Sequence, residues 1–267
     1  MPSHFARIAL KQASSLSLRA ALAGLICAAS PAQASDRPPA LQLLEEQGFS
    51  VVGQFDAPGG LKAWGAYNGN RPLAIYVLPD GQHMLVGTLI DAKGEEVRPA
   101  GLDALVQPAI AKDMQGKLEK SRWIADGRDD AQRIVYVFTD PNCPYCMQLW
   151  QMARPWVDSG RVQLRHILVG ILTPTSGPKA AAILASKDPA AALHEHSAAM
   201  LKDRSGGVKG LADIPADIDA QLTANEDLMV GWDLRATPAI VWRDEQGRMQ
   251  MQTGASPEAA ERVFGPR

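Results

Sequence analysis

The chain has 267 residues, 46% of them hydrophobic and 21% charged, with 27 Lys and Arg against 29 Asp and Glu and a formal net charge of −2. A chain of this length buries a core without disulfide staples, and a charge so balanced offers no electrostatic footing for nucleic acid. With only three cysteines, a disulfide framework is not needed as the basis of the fold.

The first element is a leader. Arg7, Lys11 and Arg19 precede a small-apolar run at residues 20–30, and Pro31-Ala32-Gln33-Ala34-Ser35 carries an A-x-A cleavage site, which predicts a secretory signal peptide over residues 1–34. The apolar run is far shorter than the roughly 20 residues that span a bilayer. Cys27 leaves with this segment, since Gly24-Leu25-Ile26 puts no small residue next to it as a lipid-attachment signal requires. The remaining 233 residues keep two cysteines and a net charge of −5, because the leader carries three basic and no acidic side chains.

After a polar, Pro-containing stretch at residues 35–39, an amphipathic helix is predicted at 41–47. Apolar or alternating runs follow at 49–55, 61–67, 73–78 and 83–90, separated by Pro58-Gly59-Gly60, Asn68-Gly69-Asn70, Pro79-Asp80-Gly81 and Asp91-Ala92-Lys93-Gly94. This pattern predicts a small antiparallel sheet with one helix, an α+β N-terminal domain over residues 35–100. Residues 102–123 lack alternation and are rich in Ala, Leu, Lys, Glu and Met. They predict a linker helix, assigned to 101–124, which Pro108 starts or kinks.

A second, α/β domain is assigned to residues 125–267. Its first strand is the continuous apolar run at 133–138, broken by Thr139-Asp140-Pro141-Asn142. Helical spacing follows from 144 to 157, with Pro155 expected to kink or shorten it, and a strand at 162–169 completes a βαβ unit. An Ala-rich helical insertion at 180–202, interrupted at Lys187-Asp188-Pro189, and a helix at 215–232 lead to strands at 238–242 and 248–253 and a last helix at 257–264. The order of these elements is that of a thioredoxin fold.

Chemistry concentrates in Cys143-Pro144-Tyr145-Cys146, where a buried strand turns into a helix. Cys143 falls at the helix N-terminus, whose unpaired N–H groups and dipole favour a thiolate, and Cys146 lies one turn inside on the same side. Pro144 suits a first turn that needs no donor. The spacing allows Cys143 to act as nucleophile and Cys146 to resolve a mixed disulfide. Two other readings stand beside this one: a plain structural disulfide, and a zinc site drawing on His83, His166, His194 or His196. His194 and His196, two apart on a helix, do not share a face. Pro238, in Ala236-Thr237-Pro238-Ala239, is either the first residue of an edge strand or a functional cis-proline. Asp140 is assigned to the turn in preference to a role on the Cys146 proton, and Trp150 to packing under the helix. Phe49, Leu61 and Trp64 are read as core, and Tyr145 as exposed.

These residues resemble the DsbC/DsbG family of periplasmic thiol:disulfide interchange proteins, on its DsbG side. The likeness rests on Phe138-Thr139-Asp140-Pro141, Cys143-Pro144-Tyr145-Cys146 and Trp150, on the runs ARPWVDSG (153–160), GTLIDAKG (87–94) and AAAILASKDP (180–189), and on Val162-Gln163-Leu164-Arg165 and Leu168-Val169-Gly170. The DsbC branch usually has glycine where Pro144 stands. The resemblance implies a periplasmic homodimer with the N-terminal domain as dimerisation domain, a linker helix, and a thioredoxin-fold catalytic domain with a helical insertion. It also implies that Thr237-Pro238 is a cis-proline loop against the active site, able to pair with substrate as an added strand. The implied partners are periplasmic proteins with cysteines and a membrane reductase of the DsbD type, with no cofactor and no metal. Asn142 departs from the aromatic residue expected there.

The resulting expectation is a disulfide isomerase and reductase that also reduces sulfenylated cysteines. Its alternatives are a DsbA-like dithiol oxidase and a cleft-binding chaperone with secondary redox activity.

Overall fold

The computed structural model describes residues 37–266 apart from 98, 205, 206 and 255. The predicted signal peptide over 1–34 lies outside the described residues. Helix α1 (Ala40–Glu46) precedes a sheet of β1 (Ser50–Asp56), β2 (Lys62–Asn68), β3 (Arg71–Val77) and β4 (Met84–Val86), antiparallel throughout in the order β1-β2-β3-β4. The single strand expected at 83–90 is two: β4 ends at Val86, and β5 (Leu89–Ile90) pairs instead with β6 (Glu96–Val97) around the Asp91–Gly94 turn. Gly87 lies between them, and the Asp91 carboxylate caps that turn by accepting from Lys93 N and Glu95 N.

Alternation sorts the sheet's faces. Trp64, Ala66, Ile75 and Val77 pack on Leu41 and Leu44 of α1, whereas Ala63, Tyr67, Ala74 and Tyr76 turn the other way. The second face meets α2 (Ala100–Lys120), which buries Leu102, Val106, Ile110, Met114 and Leu118. Pro108 sits inside α2 without ending it. At the crossing, a Cβ on Gly65 would stand 2.7 Å from Val106 Cγ2, so only glycine lets the helix approach this strand. Leu61, expected in the core, is exposed, while Trp64 is buried and Phe49 is partly buried against the same cluster.

The second sheet runs β11-β10-β8-β9-β7, with β8 (Arg133–Thr139) parallel to β9 (Val162–Leu168) and every other pair antiparallel. Strand β7 (Trp123–Asp126) corrects two expectations. The predicted linker at 101–124 gives way to sheet at Trp123, and the domain's first strand precedes 133. Four residues are too few for alternation to show in sequence. Strands β10 (Ala239–Arg243) and β11 (Met249–Thr253) form the far side.

Val135, Val137, Leu164, Ile240 and Trp242 face α3 (Pro144–Val157) and α7 (Pro257–Phe264). Pro155 lies within α3 without breaking it. Tyr136, Phe138, Ile167 and Val241 point the opposite way into one cluster with α2 and the N-terminal sheet. Far from crossing open solvent as a linker, α2 is thus filling between two sheets. Helices α4 (Ser176–Leu184), α5 (Pro189–Lys202) and α6 (Ala216–Gly231) close the remaining side over Ile124 and Leu168. At the contact of the N-terminal sheet with α6, Gly69 adopts φ 60°, and a Cβ there would stand 2.3 Å from the Gly231 carbonyl.

Edge strand β7 is tied to α3 by Arg154, which binds Asp126 with both terminal nitrogens, Nη1 to Oδ1 at 3.0 Å. His166 stands 3.5 Å from the same carboxylate and holds Thr139 Oγ1 at 3.0 Å through Nδ1. Burial, the largest influence, opposes the Asp126 charge, but the nearby His166 ring and the paired Arg154 outweigh it and hold the carboxyl well below the usual carboxylate range. A depressed carboxylate stabilises the fold above its unfolded value, about pH 4, and that contribution is lost as pH falls through its folded value.

Two stability measurements check this architecture. Gly65→Ala is expected to cost roughly 1–3 kcal/mol in urea unfolding through overpacking against Val106. Arg154→Ala is expected to cost roughly 1–3 kcal/mol at neutral pH, between an exposed pair and a fully buried one broken on one side, and to flatten the loss of stability below about pH 4. An unflattened acid limb would show that Asp126 is not the group responsible.

Candidate active site

Strand β8 delivers the chain through Thr139-Asp140-Pro141-Asn142 to Cys143, the N-cap of α3, with φ −83° and ψ 111°. Its Sγ accepts from Cys146 N at 3.3 Å, so the sulfur occupies the place a capping oxygen would take. Pro144 fills the first helical position. From the other side the chain before β10 brings Thr237-Pro238, joined by a cis peptide bond, and Thr237 O stands 3.3 Å from Cys143 Sγ. Cys143, Pro144, Tyr145, Cys146, Thr237 and Pro238 therefore meet in one place, with Tyr145 on the surface and both cysteines free thiols. Met147 and Met200 complete a buried cluster with the two cysteines.

The two thiols are made unlike by position. A hydrogen bond from Cys146 is the largest influence on Cys143. Burial opposes it, but Thr237 and the backbone of Cys146 and Tyr145 add to it, and the thiol is lowered to about 6. Burial pushes Cys146 well above the ordinary thiol range, and the hydrogen bond to Cys143 and the Cys143 charge push it the same way. Near neutral pH the arrangement holds one thiolate, on Cys143, with the remaining proton on Cys146. In its thiol form Cys143 donates to the Thr237 carbonyl. Once ionised it loses that bond, and the Thr237 hydroxyl, buried and otherwise without a hydrogen-bond partner among the described residues, is a donor at hand.

The loop is held from beneath. Asp140, fully buried, accepts from Asn142 N at 2.8 Å and Ser176 Oγ at 2.8 Å through Oδ1, and from Ile171 N at 2.9 Å and Leu172 N at 3.0 Å through Oδ2. Asn142 donates to Thr173 Oγ1 at 2.8 Å and Thr175 Oγ1 at 2.9 Å and accepts from Lys179 Nζ at 2.9 Å. His196 on α5 supports Pro141. Its Nδ1 accepts from Val208 N at 3.1 Å, which leaves Nε2 to donate to Pro141 O at 2.7 Å. Burial lowers the His196 pKa, consistent with this neutral tautomer.

A strand, a cysteine-capped helix and a facing cis-proline are the makings of a thiol exchange centre, and comparison with known proteins agrees. A thioredoxin-like domain is recognised over residues 124–262. The thiol:disulfide interchange protein DsbG of Pseudomonas aeruginosa is 48% identical over 235 residues, covering 88% of this chain and 91% of that protein. The protein of the same name from Escherichia coli K12 is 40% identical over 225 residues, covering 83% and 88%. The chain belongs to the DsbC/DsbG family of thiol:disulfide interchange proteins. Its place is on the DsbG side, and it is accordingly a protein thiol:disulfide oxidoreductase or isomerase. Among solved structures, the catalytic domain of Proteus mirabilis ScsC is similar with a TM-score of 0.47 and 18% identity over 59% of this chain and 96% of that one.

Within this DsbC/DsbG-family chain, Asn142 is built into the hydrogen-bonded loop rather than presented to a partner. The assignment of Asp140 to the turn understates it, because its carboxylate also clamps the chain after β9. Trp150 is buried, with its ring against His194 at 4.9 Å and the Arg154 guanidinium over it at 4.6 Å. The histidines weighed as zinc ligands are dispersed: His83 pairs with Asp80, His194 lies on Trp150, His166 joins Asp126 and His196 holds Pro141. Sequence reasoning weighed His196 only as a zinc ligand and missed Met200 and the 171–176 loop, since each reaches the site only through tertiary contact.

Titrating the reduced protein by thiolate absorbance is expected to show a step with a midpoint near pH 6 that disappears in Cys143→Ser. Because the folded value is depressed, the thiolate's contribution to stability is full above the ordinary thiol range and fades as pH falls through about 6. A step surviving in Cys143→Ser would assign it elsewhere.

Proposed function

We propose that this protein works in the periplasm as a dimeric disulfide isomerase and reductase that also repairs sulfenylated cysteines, with Cys143 as attacking sulfur and Cys146 as resolving sulfur. The observation carrying this reading is the unequal placing of the thiol pair: Cys143 caps the helix N-terminus against Thr237 of the cis-proline loop, with its thiol pulled down to about 6, and Cys146 lies buried one turn inside with its thiol pushed up. Attack by Cys143 on a mispaired disulfide releases one substrate thiolate and leaves a mixed disulfide. Attack on a sulfenic acid forms the same S–S bond and expels hydroxide, which takes a proton to become water. Cys146 then attacks Cys143 Sγ, releases the substrate thiol and closes the Cys143–Cys146 disulfide, so two electrons have passed to the substrate. A membrane reductase of the DsbD type is the proposed source of their replacement.

The name that both relatives carry, thiol:disulfide interchange protein, supports the exchange chemistry. Export fits the leader at residues 1–34, and no helix among the described residues is long and apolar enough to cross a membrane. For the dimer, the support is the edge of the N-terminal sheet. Among the described residues, strand β4 is an edge with no partner on one side and exposes Leu85 and Val86, with Ile90 exposed close after it. We assign residues 35–100 the pairing role and 125–267 the catalytic one.

A DsbA-like oxidase draws on one of the same observations, since a stabilised Cys143 thiolate favours the reduced form and makes the disulfide more oxidising. The two readings separate in one experiment. Cys146→Ala, expressed in the periplasm of the native host and quenched with acid, is expected to accumulate mixed disulfides through Cys143, with single-cysteine partners if sulfenate repair dominates and multi-cysteine partners if isomerisation does. An empty trap, together with rapid donation of the wild-type disulfide to reduced unfolded chains, would overturn the reductive reading in favour of the oxidase.

A further inference from the structure

One buried cluster among the described residues is made of sulfur side chains alone: Cys143, Cys146, Met147 and Met200. All four are shut off from water, the least covered being Met200 at 6% exposed. Met147 lies four residues after Cys143 and so on the same side of α3, and Met200 reaches the cluster from α5. Disulfide exchange uses the two thiols and gives the two thioethers no part. Leucine fills the volume of methionine at little cost, so packing does not by itself require sulfur at both places.

The charged and imidazole groups near the cluster are already engaged. Asp140 takes two donors on each carboxylate oxygen, and His196 spends Nδ1 on Val208 N and Nε2 on Pro141 O. Lys179 gives its ammonium to Asn142. The cysteine pair is therefore left with soft, polarisable neighbours. Zinc wants a closed set of thiolate, imidazole or carboxylate ligands, which this cluster does not offer, whereas thiolate and thioether together select Cu(I).

We propose that the reduced Cys143–Cys146 pair, together with the thioethers of Met147 and Met200, is a binding site for a soft monovalent metal ion, Cu(I). Both cysteines bind as thiolates, any proton they carry leaves to solvent, and the thioethers complete the coordination. Two thiolates and one monovalent cation leave a single negative charge on the complex. Cys146 N, which donates to Cys143 Sγ at 3.3 Å, and the otherwise unpartnered Thr237 hydroxyl are the donors placed to bear it. No electron moves: the copper stays Cu(I) and the sulfurs stay reduced. With the metal in place neither thiol is free to attack, so Cu(I) and a substrate disulfide compete for the same pair. This inference goes beyond disulfide exchange and holds whichever cysteine attacks.

The test titrates the exported protein, fully reduced and kept from oxygen, against the coloured Cu(I)–bicinchoninate complex. The wild type is expected to withdraw one Cu(I) per chain, and the same protein with its Cys143–Cys146 disulfide closed to withdraw none. Copper X-ray absorption is expected to show sulfur neighbours alone, at least three of them. In the Met147→Leu, Met200→Leu variant, which conserves volume at both places, the shell is expected to fall to two sulfurs. Its affinity is expected to drop at least about tenfold, since losing even an outer-shell partner costs roughly 10–100-fold. Each single variant is read the same way and decides the matter if the double variant does not fold. No withdrawal by the reduced wild type, equal binding by the oxidised form, oxygen or nitrogen in the copper shell, or an affinity indifferent to loss of the thioethers would overturn the proposal. None of these results bears on the mixed-disulfide trap, so this site and the exchange reaction stand or fall separately.

Discussion

The Asp140 carboxylate is the tie on which the catalytic end of the molecule depends. Taken out of water, it accepts from two backbone N–H groups after β9, one N–H before the cysteines and the Ser176 hydroxyl. A buried carboxylate is tolerated when its acceptor capacity is used, and here each oxygen takes two donors. Because these donors come from separate stretches of chain, the turn into α3 and the loop into α4 hold one geometry. Cys143 can cap α3 only if that turn is fixed, and the same turn sets it against the buried Cys146 that makes the thiols unequal.

The asymmetry of the pair is inexpensive in sequence terms. Two identical residues three positions apart differ because one caps a helix and the other lies inside its first turn under Met147 and Met200. The hydrogen bond from Cys146 lowers one thiol most, with Thr237 and the N–H groups of the helix end adding to it, and burial raises the other. Thr237, arriving from a distant part of the chain, completes the arrangement.

Much of this was legible in the residues themselves. The run at 133–138, the cysteine pair and the helix at 257–264 carry local signals strong enough to survive folding. Segments missed or misjudged failed for physical reasons. Strand β7 is too short for periodicity and owes its place to pairing with β9. Pro108, expected to start or kink its helix, and Pro155, expected to kink or shorten its own, lie inside α2 and α3, which run on past them. Leu61 reads as apolar core but falls just before β2, where it is left outside. His196 carries no local signal for its contact with Pro141, which lies 55 residues away.

Helix α2 has a consequence for how the molecule can be divided. Its buried side completes one core together with Tyr136, Phe138, Ile167 and Val241 of the second sheet and Ala63, Tyr67, Ala74 and Tyr76 of the first. The thioredoxin-like half therefore has no finished outer wall on that face. Excised at residue 124, it would present a greasy, self-adhesive plane where the intact chain has an interior. A free-standing version is a redesign problem, in which that plane must be repainted with polar residues, rather than a matter of choosing where to cut.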